Sequence, residues 1–205
     1  MQKIKIFEIL KHERTKTLML SKYIFRYVKN PWVLFLSYIQ RDKPRKAIFR
    51  NGLEIEFDGY TQSKVYDACI LFSKKYVVLK KGKDFLIKGY GITLVTPQLS
   101  VVEEIEKFYG SVKFNGKVVL DIGGFIGDTV VMFWKLGAQK IIVYEPLMEN
   151  VKYIKKNVKI NHINAEIYPF AVWDKDGTIE LLVDDKTIGT QTFGLYPGKY
   201  KITQL

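Results

Sequence analysis

The stretch Val118 to Thr129, VVLDIGGFIGDT, constrains the fold more than any other part of this chain. Val118 to Ile122 is almost wholly apolar, as expected of a parallel-sheet strand covered on both faces, and it runs straight into a glycine-rich turn. Thr129 to Leu136 then follows helical spacing up to Gly137. A second strand is predicted at Ile141 to Tyr144. The next helix places Leu147, Val151, Ile154 and Val158 on one stripe, and a third strand is predicted at Ile167 to Val172. Alternation of strand and helix predicts an α/β domain built on a parallel sheet. Asp174-Lys175-Asp176-Gly177 then turns the chain into a further strand, Thr178 to Val183, as a hairpin.

The turn raises the question of a nucleotide. A dinucleotide-binding turn needs glycines in G-x-G-x-x-G order so that bare backbone can approach a pyrophosphate. That register fails here, because counting from Gly123 meets Phe125 and Asp128, and counting from Gly124 meets Ile126 and Thr129. The lysine of a phosphate-cradling loop is also missing after Gly127. The turn reads D-x-G-x-x-x-G-D instead, with an acid on both sides. Asp121 at a strand end repels a pyrophosphate but attracts a ligand carrying an ammonium and a sulfonium, as S-adenosylmethionine does. Glu145 ends the next strand, 24 residues after Asp121. A carboxylate has acceptor capacity for two hydroxyls, so Glu145 is expected to take those of an adenosine ribose. Gly123, Gly124 and Gly127 are expected to let such a ligand touch the main chain. Asp128 joins them as a candidate, although an acid in a first helical turn is also a favourable dipole partner. The blander reading is a tight strand-to-helix connection with Glu145 as a solvated strand terminus.

Upstream the character differs. Apolar Leu20, Ile24, Tyr27 and Val28 recur at helical spacing between Lys16 and Lys29, with Lys22, Arg26 and Lys29 opposite, which predicts a basic amphipathic helix ending at Asn30-Pro31. The aromatic stretch from Trp32 to Tyr38 begins a second helix. Ala47 to Phe57 reads as a hairpin turning at Asn51-Gly52, a pair suited to a type I′ turn. Short strands are predicted at Tyr76 to Leu79, Phe85 to Ile87 and Ile92 to Val95. Ser100 and Glu103 form a capping box opening a helix through Val102, Ile105 and Phe108 to Gly110. The expected organisation is therefore a basic helical region over 1–44, a small β-rich segment over 45–96, and the α/β domain over 97–205.

Charge sharpens the division, since residues 1–50 hold 13 Lys/Arg against 3 Asp/Glu, while 51–110 balance at 8 and 8. Such a patch favours an anionic partner, whether a nucleic acid, an acidic membrane surface or a phosphorylated substrate. One cysteine, Cys69, makes no intramolecular disulfide, and with only two histidines the usual zinc ligand sets cannot be assembled, so no metal site is expected. Cytoplasmic residence is the expectation; the basic helix reads first as an ordinary packing helix with a solvated basic face, and peripheral attachment to a membrane is the alternative.

VVLDIGGFIGDTVVMFWKLGAQKIIVYEP, followed by NVKYIKKNVKINHINAEIYPFAVWDKDGTIEL, resembles the FkbM-type S-adenosylmethionine-dependent methyltransferases. Asp121, Gly123, Gly127, Gly137-Ala138, Glu145-Pro146, Asn157, Asn161, Ala171-Val172 and Gly177 occupy positions matching that family's motifs, over about residues 115–185. The resemblance implies a Rossmann-like methyltransferase sheet with S-adenosylmethionine held by Asp121, Gly123, Gly124, Phe125, Gly127, Asp128 and Glu145, and with Ala171 near the adenine. Phe125 stands where the family usually has Asn. The family domain normally continues through more strands, so an incomplete sheet is expected, with Val118 to Ile122 as an apolar edge that a second copy, a partner chain or another segment covers. The implied activity is O-methylation of a hydroxyl on a sugar, glycolipid or related small molecule. The competing readings are methylation of RNA and a catalytically incomplete module retained for binding or assembly. The sequence singles out no general base.

Overall fold

The computed structural model describes residues 23–99, 111–172, 174 and 177. The segment before Tyr23, the capping box at Ser100 and the strand expected at 178–183 lie outside the described residues. The chain divides into two compact units, Met1–Lys80 and Lys81–Leu205.

In the first unit residues 23–27 are helical and Val28 then bridges Phe49. Helix α1 (Trp32–Ile39) starts directly after Pro31, whose fixed φ suits a helix start. Strands β1 (Arg45–Ile48) and β2 (Glu54–Phe57) pair antiparallel, with Ile48 opposite Glu54. Their connection differs from the expected type I′ turn. Only Gly52 has positive φ (89°), and its N–H donates to Phe49 O at 3.0 Å. Asn51 therefore keeps an ordinary conformation, and the connection is a tight turn closed by a left-handed glycine. Asn30 ties the preceding loop to β1 like a spare peptide, donating from Nδ2 to Lys46 O (2.9 Å) and accepting the Ile48 N–H at Oδ1 (2.8 Å).

Helix α2 (Ser63–Ser73), not among the expected elements, stands among the strands of the β-rich segment 45–96. It buries Val65, Ala68, Cys69 and Leu71, and Phe72 packs edge-on against Phe49. No side chain caps its start. Burial pushes the Cys69 thiol up to about 12. Strand β3 (Val77–Lys81) follows.

In the second unit β4 (Asp84–Gly89) and β5 (Ile92–Thr96) form an antiparallel hairpin with Gly89 opposite Ile92. Here the two turn residues both take positive φ, Tyr90 at 51° and Gly91 at 79°, the conformation of a type I′ turn. Strand β6 (Val118–Ile122), helix α3 (Asp128–Lys135), strand β7 (Lys140–Tyr144), helix α4 (Met148–Ile160) and strand β8 (Ala165–Tyr168) complete the described chain. The three strands are parallel in the order β6-β7-β8, so the α/β class expected from the alternation is what the chain adopts. Strand β8 begins earlier than expected, at Ala165, and ends at Tyr168, where Pro169 lacks the N–H to continue the ladder.

Both crossovers advance in one direction across the sheet. A right-handed connection then puts each helix on the same face, and α3 and α4 do pack on each other. Ile141 and Val143 of β7 are buried, as are Val130, Val131, Val151 and Ile154 of the two helices. The opposite face corrects the expectation of a strand covered on both sides. Among the described residues β6 is an edge, and Val118, Leu120 and Ile122 are 61, 57 and 58% exposed. Among the described residues no helix is long and apolar enough to cross a membrane.

Candidate functional site

The glycine turn sits where β6 ends and α3 begins, at the C-terminal edge of a parallel sheet, the edge at which open α/β sheets take their ligands. Gly123 and Gly124 both donate their N–H groups to Tyr144 O, at 2.8 and 3.1 Å, which closes the turn onto the end of β7. Gly127 donates to Gly124 O at 2.7 Å and leads into α3 with φ 82°.

The three glycines have different reasons to be glycine. A Cβ on Gly124 would stand 2.3 Å from Val143 Cγ1, and one on Gly127 would stand 3.1 Å from the Ile154 backbone. Bare backbone at these two positions lets the turn press onto β7 and α4, a packing role beside the ligand access expected of them. Gly123 has φ 87° and meets nothing within 4 Å. It is the position of the three where the main chain lies open. Phe125 also takes positive φ (45°), a conformation that costs an L-residue about 1–2 kcal/mol.

The carboxylates flank this turn. Asp121, in the last turn of pleat of β6, is 8% exposed and accepts the Thr129 hydroxyl at Oδ2 (2.6 Å). The same oxygen lies 3.8 Å from where a Gly124 Cβ would be. Burial raises the Asp121 pKa against the opposing pull of that hydroxyl. Glu145 is 2% exposed; its Oε2 accepts the Phe125 N–H (2.8 Å), and its Oε1 accepts the Leu147 N–H (2.9 Å) and Asn150 Nδ2 (3.2 Å). Burial raises its pKa more than these three donors lower it, and the nearby Asp121 charge adds to the rise. Glu145 is thus no solvated strand end. It holds the outer limb of the glycine turn to the start of α4.

That arrangement changes what Glu145 can offer. A carboxylate has about four lone-pair positions, and the chain's own donors take three, leaving one on Oε2. Asp128 opens α3, and Ala171 lies half-buried in the segment after β8. The structure brings Asp121, Gly123, Gly124, Phe125, Gly127, Asp128 and Glu145 to one turn. The strand-end segments 118–134, 141–151 and 165–172 contain no Lys or Arg, so the described edge carries buried carboxylates with no cation of its own segments beside them. Such a surface suits a cationic or neutral ligand better than a phosphate.

Sequence reasoning missed Thr129 and Asn150, whose polar side chains orient the two carboxylates, and the part played by Asn157. Asn157 Oδ1 accepts the Val95 N–H at 2.7 Å, while its Nδ2 donates to Val95 O at 3.0 Å and to Ile126 O at 2.8 Å. Asn161 repeats the pairing one turn later, accepting the Thr93 N–H at 2.8 Å and donating to Thr93 O at 2.6 Å. Four residues of helix rise about 6 Å and two residues of strand about 6.6 Å, so an N-x-x-x-N spacing matches alternate residues of β5. These asparagines fasten α4 to the hairpin, and Asn157 also fastens the glycine turn.

No protein-family model matches the chain, and no curated protein matches it. Among solved structures, Trm5b from Pyrococcus abyssi is 16% identical over 52% of this chain and 40% of its own, with a TM-score of 0.36. A protein from Streptococcus mutans described as a candidate SAM-dependent methyltransferase is 20% identical over 47% of this chain and 28% of its own, with a TM-score of 0.34. P. horikoshii TYW2, in complex with MeSAdo, is 14% identical over 61% of this chain and 55% of its own, with a TM-score of 0.41. The chain therefore spans little more than half, or less, of the length of each.

Proposed function

We propose that this chain binds S-adenosylmethionine at the glycine turn and serves methyl transfer to a hydroxyl of a sugar, glycolipid or related small molecule, in the manner of the FkbM-type enzymes its motifs resemble. The observation that carries the reading is the pair of buried carboxylates, Asp121 and Glu145, on either side of a turn whose main chain is open at Gly123. Asp121 supplies negative charge at the strand end, and the strand-end segments around it contain no Lys or Arg. Gly123 allows a ligand to reach backbone. Glu145 fixes the turn through Phe125 and Leu147, and its remaining lone pair on Oε2 is available to one ribose hydroxyl.

When bound, the cofactor supplies a methyl group on sulfonium, an excellent leaving group. What remains for the protein is to align the acceptor and exclude water. Hydroxyl acceptors also call for a general base within hydrogen-bond reach; neither buried carboxylate is assigned that task, since both are occupied in shaping the turn.

Isothermal calorimetry with S-adenosylmethionine tests the reading. Heat of binding, competition by S-adenosylhomocysteine, and at least a tenfold loss on Asp121→Asn are expected. Absence of heat with both ligands would overturn it. A second reading, a methyltransferase-like module kept for assembly, is favoured by the bare apolar face of Val118, Leu120 and Ile122. It predicts stable self-association in light scattering, with cofactor binding lacking turnover or no binding at all.

A further inference from the structure

Helix α1 presents its more apolar side outward. At 100° per residue, Tyr38, Phe35, Ile39, Trp32 and Leu36 fall in that order around one arc of about 160°, and all five are exposed, Trp32 at 61%, Phe35 at 67% and Ile39 at 65%. The inward arc holds Leu34 and Ser37, and the Ser37 hydroxyl is spent on Leu34 O. The outer arc contains no polar side chain apart from the Tyr38 hydroxyl. Phe25, on the preceding helical residues, is exposed to the same degree as Phe35.

Cations border this arc. Arg45 Nη2 donates to Leu36 O at 3.2 Å and to Gln40 Oε1 at 2.9 Å, which seats the guanidinium at the C-terminal end of α1. Arg50 Nη2 reaches Phe25 O at 3.4 Å. Over residues 23–50 there are seven basic side chains and one acid, Asp42. Water is a poor solvent for the arc, and the missing acids make a basic or neutral partner a poor match for its border.

We propose that the outer arc of α1 docks the protein onto an anionic phospholipid surface, with Trp32, Phe35 and Ile39 entering the headgroup boundary and Arg41, Lys43 and Arg45 lying over acidic headgroups. Aromatic rings beside aliphatic side chains on a short surface helix, rimmed by Lys and Arg, match the composition of interfacial helices. Each cation near an acidic leaflet multiplies partitioning by about fivefold, so several together with a few apolar side chains give reversible attachment. Single-stranded nucleic acid would use the cations and the rings but has no use for Leu36 and Ile39. The inference concerns the first unit alone and does not rest on the methyltransferase reading.

Co-sedimentation of the full chain with vesicles tests it, using phosphatidylcholine alone and phosphatidylcholine mixed with phosphatidylserine. Sedimentation with the mixed vesicles is expected, at least tenfold weaker on phosphatidylcholine alone. The Phe35→Ser/Ile39→Ser double variant should lose at least tenfold while its circular dichroism and melting temperature stay those of the wild type; Ile39→Ser alone serves if the double variant melts early. Arg41→Glu/Lys43→Glu should lose a similar factor. Equal sedimentation of wild type and Ile39→Ser, or none by the wild type, overturns the proposal. So does a dimer in light scattering that the Phe35/Ile39 variant abolishes, or tight binding of an oligoribonucleotide in place of vesicles.

Discussion

Asn157→Leu is the substitution that asks most of this structure. The side chains are close in size, so the change removes three hydrogen bonds, two to Val95 and one to Ile126 O, without opening a large cavity. A net contribution of about 1 kcal/mol per bond, together with a Val95 N–H and an Ile126 carbonyl left facing an apolar side chain, sums to a loss of about 3–5 kcal/mol. That is a large share of the roughly 5–15 kcal/mol that holds a domain folded. Urea unfolding measures the total, and amide hydrogen exchange locates it. The Val95 amide should exchange about a hundredfold faster or more, and the Gly127 amide, bonded within the turn that Asn157 fastens, should speed up with it. Asn161→Leu is the control, since Asn161 fastens Thr93 but not the turn; it should release Thr93 and leave Gly127 protected. Wild-type protection of both Val95 and Gly127 in Asn157→Leu would refute the reasoning.

Three further outcomes follow from the site and the core. Asp121 holds its proton more tightly folded than unfolded because burial penalises its charge; the folded state then binds more protons across the interval above the ordinary aspartate pKa, and its contribution to stability falls as pH rises through that interval. Asp121→Asn removes this dependence, so its stability relative to wild type should improve with rising pH in parallel urea titrations, and a pH-independent gap would contradict the assignment. Gly124→Ala should cost more than about 2 kcal/mol by thermal unfolding, since its Cβ meets Val143 Cγ1; Gly123→Ala should cost only the roughly 1–2 kcal/mol of its positive φ yet weaken cofactor binding in calorimetry. Cys69, buried and with its thiol raised to about 12, should resist a thiol-specific disulfide reagent until the protein unfolds, and prompt labelling of the native chain would place it elsewhere.

The parallel sheet was legible because β6 and β7 are short apolar runs, the first closed by Gly123-Gly124 and the second by Glu145-Pro146, and α3 and α4 carry clean helical stripes. The candidate turn was legible for a related reason: acids and glycines beside an apolar strand have few structural excuses. Less legible was which glycine serves which end. Gly124 and Gly127 are fixed by Val143 and Ile154, contacts that arise only once the sheet and α4 are in place. The burial of Glu145 depends likewise on Phe125, Leu147 and Asn150 meeting in space. Helix α2 was hidden because it starts without a side-chain cap between strands. The two hairpins exchanged expectations, as Asn51-Gly52 carried the composition of a type I′ turn while Tyr90-Gly91 adopts its positive angles. There the pairing of Gly89 with Ile92 leaves room for two residues only, and geometry overrides the preference of tyrosine.

The bare flank of β6 bears on the turn beside it. Because α3 and α4 occupy one side, a parallel strand added along β6 with a right-handed connection, advancing the opposite way across the sheet, would set its helix over Val118, Leu120 and Ile122. The end of β6 would then become the place where successive connections diverge to left and right, and the cleft so opened would lie over Asp121 and Gly123. A helix laid on that flank would therefore also stand as a wall beside the turn.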